Sequence, residues 1–128
     1  MPNVVQTLKN LDPRRPAVVG LALIVVVGCS TASERTQLER FFSASRLRDT
    51  TALQTVATVV FEPRERGTIT TFEILNVASR YDGGRELKDV TISAPVRLPS
   101  RETVQQTLVV TLEKVAGRWL VTHVAAGT

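Results

Sequence analysis

The chain is poor in the residues from which catalytic and metal centres are usually assembled. Its 128 residues include one cysteine, Cys29, and one histidine, His123. A single cysteine excludes an intramolecular disulfide and a cysteine-based metal cluster. A single imidazole would need several carboxylates to complete a metal site. We therefore predict no metal and no cofactor.

Aromatic residues are also scarce, at 5% of the chain, whereas hydrophobic residues make up 43%. The core must therefore be built mainly from aliphatic side chains. The length suits one domain and is too short for two. A modest core of this kind makes a homodimer a reasonable expectation.

The formal net charge of +4 does not come from one basic face. Lys9, Arg14 and Arg15 precede the first apolar run, and the chain from Cys29 onward carries 13 basic and 11 acidic residues. Nucleic-acid binding needs a concentrated basic surface. We expect no nucleic-acid partner.

The first apolar run covers residues 17–28 and follows directly on Arg14, Arg15 and Pro16. A helix of 12 residues is about 18 Å long, which is short against a hydrocarbon core of about 30 Å. This length is typical of the apolar part of a signal peptide. The basic residues before it favour the cytoplasmic side, so the rest of the chain should face away from the cytoplasm.

The residues at the end of this run, Val26-Val27-Gly28-Cys29, resemble the lipobox of bacterial lipoproteins. The resemblance implies lipid transfer to the Cys29 thiol, cleavage before that residue, and attachment to a membrane of the bacterial cell envelope. Val26 stands where leucine is usual, and Ser30 follows the cysteine. Two alternatives stay open: an uncleaved signal anchor in which Cys29 is incidental, and an ordinary cleaved secretory signal.

We accordingly divide the chain into a leader or anchor at residues 1–32 and a small domain at residues 33–128. Leu38, Phe41, Phe42 and Leu47 recur at helical spacing and predict an amphipathic helix from residue 33, with Thr31 or Ser33 as its cap. A second cap at Asp49 predicts a short helix at residues 52–60, although residues 59–61 also suit a short strand. Pro63 ends this segment.

Beyond Gly67 the pattern changes to that of strands. Residues 68–78 are rich in β-branched and aromatic residues, and residues 87–96, 103–115 and 118–125 alternate or continue as strands. Residues Tyr81 to Gly84 are of the types typical of a turn, and Ala116-Gly117 predicts a hairpin. We expect an α+β fold: an N-terminal apolar leader helix, then one or two helices packed on a cone-like antiparallel sheet of about four strands.

This order resembles the cone shared by ketosteroid isomerase and nuclear transport factor proteins. The resemblance covers roughly residues 34–125. It rests on Phe-Phe-Ser-Ala at 41–44, Leu-Arg-Asp at 47–49, Leu53, and Gly-Arg-Trp-Leu-Val at 117–121. It implies a cone with a face that helices cover, and either a small apolar ligand or an isomerase or cyclase activity.

Three residues are candidates for a pocket in such a cone. Glu73 shares its alternation with Ile69, Leu75 and Val77, so it is the one carboxylate expected to point inward. Trp119 suits either the core or a ligand platform, and His123 suits either a surface position or a general base. The isomerases use an aspartate base with a tyrosine and a protonated aspartate, whereas the one tyrosine here adjoins a Gly-Gly turn.

No catalytic constellation emerges, so we predict no catalytic residues and expect a non-enzymatic protein. The predicted function is that of a membrane-anchored envelope lipoprotein that binds a partner protein or a small apolar ligand. A small isomerase or cyclase is the alternative. A filled core would favour the first and a closed apolar pocket with polar residues the second.

Overall fold

The computed structural model describes the backbone of residues 16–127 and the side chains of residues 31–127. Contacts divide the chain into two units, Met1–Ser30 and Thr31–Thr128. In the first unit, the described backbone from Pro16 onward is helical. Residues 1–15, which include the basic residues 9, 14 and 15, lie outside the described residues, as do the Cys29 side chain and the other side chains before Thr31.

The first helix, α1, runs as Pro16–Leu47. Its described part buries Leu38, Phe41 and Phe42 on one stripe, as the helical spacing predicts. The backbone is helical through residues 31–33, so the predicted caps Thr31 and Ser33 lie inside the helix. Leu47 was expected on the buried stripe, but its side chain is 67% exposed. It follows Leu38 by two and a half turns and therefore lies on the opposite side of the helix.

Two short helices connect α1 to the sheet. Helix α2, Thr50–Val56, begins at the predicted cap Asp49, whose carboxylate accepts a hydrogen bond from the Ala52 backbone N–H. It is shorter than expected because Ala57 leaves the helix and forms a parallel bridge with Val121. Helix α3, Pro63–Arg66, occupies a segment in which Pro63 was expected to end the helical structure. Proline is accepted at a helix start, where its missing N–H has no partner to lose.

The sheet is curled and antiparallel, and it contains five strands. They are β1 (Thr68–Ile69), β2 (Glu73–Asp82), β3 (Arg85–Arg97), β4 (Thr103–Val115) and β5 (Arg118–Ala126). Strands β1 and β2 both pair with the same edge of β3, and the order then continues through β4 to β5. The α+β class, the antiparallel sheet and the covering helices are thus as the sequence predicts. The expected first strand is split in two.

Two Gly-containing turns connect the long strands. Gly83 and Gly84 have φ angles of 59° and 82°, and Ala116 and Gly117 have φ angles of 52° and 79°. These are the left-handed conformations of two-residue hairpin turns whose twist matches that of the strands. The hairpin predicted at Ala116-Gly117 is confirmed.

The core lies between α1 and one face of the sheet, which we call the helix-covered face. Strand β3 contributes alternate residues to it, from Val90 to Val96. The remaining members come from the helices, the loop between them and the other strands: Leu38, Phe41, Phe42, Val56, Ala57, Phe61, Ile69, Leu108, Val110, Leu112 and Val121. All of these residues belong to the unit Thr31–Thr128. This unit therefore contains a complete hydrophobic core and is expected to fold without the residues before it.

Candidate functional site

The three predicted pocket residues occupy three different places. Glu73 begins β2 and His123 lies on β5, and both are exposed. Since β3 and β4 separate these strands, the two strands are about 14 Å apart across the sheet. The two residues are also offset along the strands, because His123 aligns through Thr111 and Asp89 with Ala78 of β2. Trp119 is partly buried against the helix-covered core. The structure does not bring the three together, and a functional role for each stays a prediction.

The position of Glu73 is explained by a β-bulge. The register of β2 shifts between Ile74 and Asn76, so Leu75 is an extra residue in the strand. Before the bulge Glu73 pairs with Ser93, and after it Val77 pairs with the buried Val90. One extra residue reverses the face of everything before it. Glu73 is therefore on the outer face, and the expectation that it points inward with Val77 is wrong.

His123 also lies on the outer face, where it pairs with Thr111 of β4. The Thr111 hydroxyl donates a hydrogen bond to Asp89 Oδ1 at 2.8 Å. On the other side of Asp89, Arg80 Nε donates to Oδ2 at 2.7 Å. The hydrogen bond from Arg80 is the main reason that the pKa of Asp89 is lowered below its usual value. This network connects the edge strand β2 to its neighbour β3 and, through Thr111, to β4.

Trp119 belongs to a polar cluster at the end of the helix-covered face. The Lys88 ammonium lies 4.5 Å from the centre of the indole ring and forms an ion pair of 2.6 Å with Glu34 of α1. Gln37, one turn further along α1, donates to the carbonyls of Trp119 at 2.6 Å and Val56 at 3.3 Å. These contacts join α1 to β3 and β5, and we call Glu34, Gln37, Lys88 and Trp119 the α1 anchor cluster.

Glu34 is the most constrained member of this cluster. Its side chain is 2% exposed, and Oε1 has no hydrogen-bond partner among the described residues. The carboxylate lies at a small cavity of about 50 Å³ that Gln37, Leu112 and Trp119 also line. This volume is sufficient for a water molecule. The cluster is best explained as a structural connection between helix and sheet.

The sequence carries a signal for this ion pair that the pocket analysis missed. Lys88 falls on the same alternation as Val90 and Ile92, the buried face of β3. Glu34 precedes Leu38 by one helical turn and therefore lies on the buried stripe of α1. A lysine and a glutamate on two opposed apolar faces predict a buried pair.

Strand β2 has a free edge. Strand β2 pairs with β3 on one side, and no strand pairs with its other side among the described residues. The opposite edge of the sheet is partly covered, since Thr58 N donates to the Val121 carbonyl of β5 at 2.9 Å. An edge strand with unpaired N–H and C=O groups is a template for strand addition.

Apart from the bulge at Leu75, which is itself a feature that disfavours edge pairing, β2 carries little of the usual protection of an edge. The strand contains no proline and no lysine, which are residues that often prevent pairing at exposed edges. Leu75 and Tyr81 are 55% and 75% exposed. Its one basic residue, Arg80, forms an ion pair with Asp89 of β3. We call the strand with these two apolar side chains the β2 edge.

The helix-covered face is filled by side chains. Phe41 and Leu38 are fully buried there, and Phe61 is 2% exposed. Phe42 packs edge-on against Phe61 with the ring centres 5.4 Å apart. The larger cavities found among the described residues are open surface grooves. Within the part of the chain that the structure describes, no helix combines the length and apolar character needed to cross a membrane.

Comparison of the chain with protein-family models, with curated proteins and with solved structures returns no match.

Proposed function

We propose that this protein is a membrane-anchored, non-enzymatic domain of the bacterial envelope that acts by binding another protein chain along the β2 edge. The observation that carries this proposal is the uncovered ten-residue strand β2 with Leu75 and Tyr81 exposed on it. An accessible strand edge offers backbone hydrogen bonds to an extended segment, and the exposed side chains add apolar contacts.

The filled helix-covered face supports a binding role over an enzymatic one. The isomerase alternative requires a ligand between helix and sheet, where Phe41, Phe61 and Leu38 lie buried. The carboxylate expected to point into such a pocket, Glu73, is on the outer face. The interior space that this chemistry needs is occupied by the core.

The membrane anchor rests on the sequence. The apolar run at residues 17–28 and the lipobox-like Val26 to Cys29 support lipid attachment at Cys29. Two acyl chains hold a protein firmly at a membrane because each buried methylene contributes about 0.8 kcal/mol. The folded unit would then face away from the cytoplasm.

A second copy of this chain is the occupant of the β2 edge that the strand itself favours. Leu75 and Tyr81 are each three residues from Ala78. In an antiparallel pairing whose two-fold axis passes through Ala78, Leu75 of each copy lies opposite Tyr81 of the other copy. In the same register Asn76 lies opposite Arg80 of the other copy, and Val77 lies opposite Ser79. Residues after the bulge are therefore paired with residues on the same face of the sheet. Apolar cross-strand pairs of this kind stabilise a sheet.

Sedimentation of the unit Thr31–Thr128 tests this proposal. We expect a dimer at tens of micromolar, and we expect Tyr81→Lys to give a monomer because a charge then meets Leu75 at both ends of the pairing. Val115→Lys is the matched control, since Val115 is an exposed apolar residue outside β2. A wild-type unit that sediments only as a monomer, or a dimer that survives Tyr81→Lys, would contradict the pairing.

A further inference from the structure

A groove on α1 combines two fixed guanidinium groups with a carboxylate. It has a volume of about 330 Å³ and lies between α1 and the segment that joins β1 to β2. We call it the α1 groove. Its lining includes Arg35, Glu39, Phe42, Arg46, Thr71 and Phe72. This volume is within the range of small-ligand sites, which typically combine apolar walls with a few polar groups.

Both arginines of the groove are held by backbone carbonyls. Arg35 Nη1 donates to the Phe72 carbonyl at 3.3 Å, and its guanidinium lies 5.5 Å from the centre of the Phe72 ring. Arg46 Nη1 donates to the Ile69 carbonyl at 3.2 Å. A guanidinium has five N–H donors, so each arginine keeps donors for a ligand. Fixed guanidinium groups suit phosphate or carboxylate oxygens.

Glu39 gives the groove an opposite charge between these two cations. It follows Arg35 by one helical turn, which brings the two Cβ atoms to about 6 Å. Its carboxylate is exposed and has neither an ion pair nor a hydrogen bond to its side chain among the described residues. Arg35 can bind an anion and Glu39, beside it, can bind a cation. Together they match a ligand that carries a phosphate and an ammonium a few bonds apart.

The ammonium must be able to donate hydrogen bonds to the carboxylate. A primary ammonium has three donors, whereas a trimethylated one has none. Arg46 follows Arg35 by 11 residues, or about 16 Å along the helix axis. It is therefore too distant for the same phosphate and would contact a neighbouring one. Phe42 and Phe72 supply an apolar floor for the carbon atoms of the ligand.

The place of the groove in the chain favours a membrane source for this ligand. Arg35 follows Cys29 by only six residues, and even a fully extended chain of that length spans at most about 20 Å. Short tethers produce effective concentrations of the millimolar order. A headgroup site that gives measurable binding of the free unit to vesicles would therefore be close to saturation in the anchored protein.

We propose, resting on the membrane anchor of the proposed function, that the α1 groove binds the phosphoethanolamine headgroup of membrane phospholipids. Arg35 takes the phosphate, Glu39 takes the primary ammonium, and Arg46 takes the phosphate of an adjacent headgroup. The site would hold the folded unit against the membrane surface by its α1 side.

Vesicle flotation of the unit Thr31–Thr128 tests the proposal. The vesicles contain phosphatidylcholine alone, or phosphatidylcholine with either phosphatidylethanolamine or phosphatidylglycerol. We expect at least fivefold stronger binding to the ethanolamine vesicles than to phosphatidylcholine alone. Arg35→Gln should remove this binding. Glu39→Gln should remove the preference for ethanolamine while keeping or increasing the binding to phosphatidylglycerol.

The matched controls are Arg64→Gln and Glu65→Gln, which make the same charge changes on exposed residues of α3. Equal binding to ethanolamine and choline vesicles would overturn the proposal. So would equal losses from Arg35→Gln and Arg64→Gln, since this result indicates a general charge effect. Binding of soluble phosphoethanolamine without binding to vesicles would overturn the inference that the ligand is a membrane phospholipid.

Failure of this inference is distinguishable from failure of the proposed function. The unit Thr31–Thr128 lacks Cys29, so the vesicle result does not depend on whether that residue carries lipid in cells. Dimerisation is read separately, by sedimentation of Tyr81→Lys, and Tyr81 is not part of the α1 groove.

Discussion

Replacing Lys88 with methionine removes the cation of the α1 anchor cluster and keeps most of the side-chain volume. In the wild-type protein the ammonium lies 2.6 Å from Glu34 Oε2. The carboxylate is 2% exposed, and its second oxygen has no partner among the described residues. In Lys88→Met, Glu34 would therefore be a buried charge without compensation.

The expected loss can be estimated from these surroundings. Breaking one side of a buried ion pair costs about 3–5 kcal/mol. The Lys88 side chain is 21% exposed, so water reaches its end of the pair and the lower limit applies. We expect Lys88→Met to lower the free energy of unfolding by about 3 kcal/mol, which corresponds to a decrease in Tm of about 15 °C for a domain of this size.

The partners should respond unequally. In Glu34→Leu the Lys88 side chain can extend its ammonium into water, so this variant should lose less stability than Lys88→Met. The double variant Glu34→Leu/Lys88→Met should be close to wild type, because apolar replacement of a buried pair is often neutral. Urea denaturation of all four proteins at one pH gives the double-mutant cycle, with an expected coupling of at least about 3 kcal/mol.

Two results would refute this reasoning. The first is a loss below about 1 kcal/mol for Lys88→Met, which would mean that the Glu34 carboxylate is well hydrated in solution. The second is a double variant whose loss equals the sum of the two single losses. In that case the contact would carry no energetic coupling.

Two further predictions concern the edge strand and a turn. Because the pKa of Asp89 is lowered in the folded state, its stabilising pair with Arg80 should be present above about pH 4 and lost as the pH falls through the folded pKa. Urea denaturation should therefore separate Asp89→Asn from wild type at neutral pH, and this difference should shrink as the pH falls below about 4; a difference that does not change with pH would contradict this. Gly67 has φ +91°, and a Cβ there would lie 2.3 Å from the Arg97 carbonyl oxygen, so Gly67→Ala should cost about 3 kcal/mol from backbone strain and overlap. Gly117→Ala, with φ +79° and open space around the new Cβ, should cost less than Gly67→Ala when both are measured by urea denaturation; equal losses would show that the overlap is relieved.

Much of the fold could be predicted because local and long-range preferences agree. The alternation in β3 continues without interruption from Val90 to Val96, and a buried face fixes its register. The turn at Ala116-Gly117 has two residues in the left-handed conformation between two strands. The glycine between two strand-like segments is the sequence signal for such a hairpin turn. In both cases the periodicity within one segment determines which residues are buried.

The first predicted strand shows where such reasoning fails. The strand content of residues 68–78 gives no sign that the chain leaves β3 after Ile69 and returns at Glu73. A bulge at Leu75 likewise has no local signature, because it is a property of pairing with β3. That one extra residue determines the face of the sheet on which Glu73 lies. Glu73, a candidate pocket residue, is therefore on the outer face and outside the core.

The candidate site was predictable only in part, for a related reason. The lipobox-like segment is a local motif and is readable from the sequence. The α1 anchor cluster joins residues 54 positions apart, Glu34 and Lys88, and the β2 edge exists only because no other strand among the described residues covers it. Both properties are set by topology.

The intact mass of the mature protein purified from bacterial membranes, beside that of a Cys29→Ser variant, tests the membrane anchor most directly. The account predicts a wild-type chain that begins at Cys29 and carries added acyl mass, and a variant that carries none. A wild-type chain that retains Met1 without added mass, with both proteins in the membrane, would contradict it and indicate an uncleaved signal anchor.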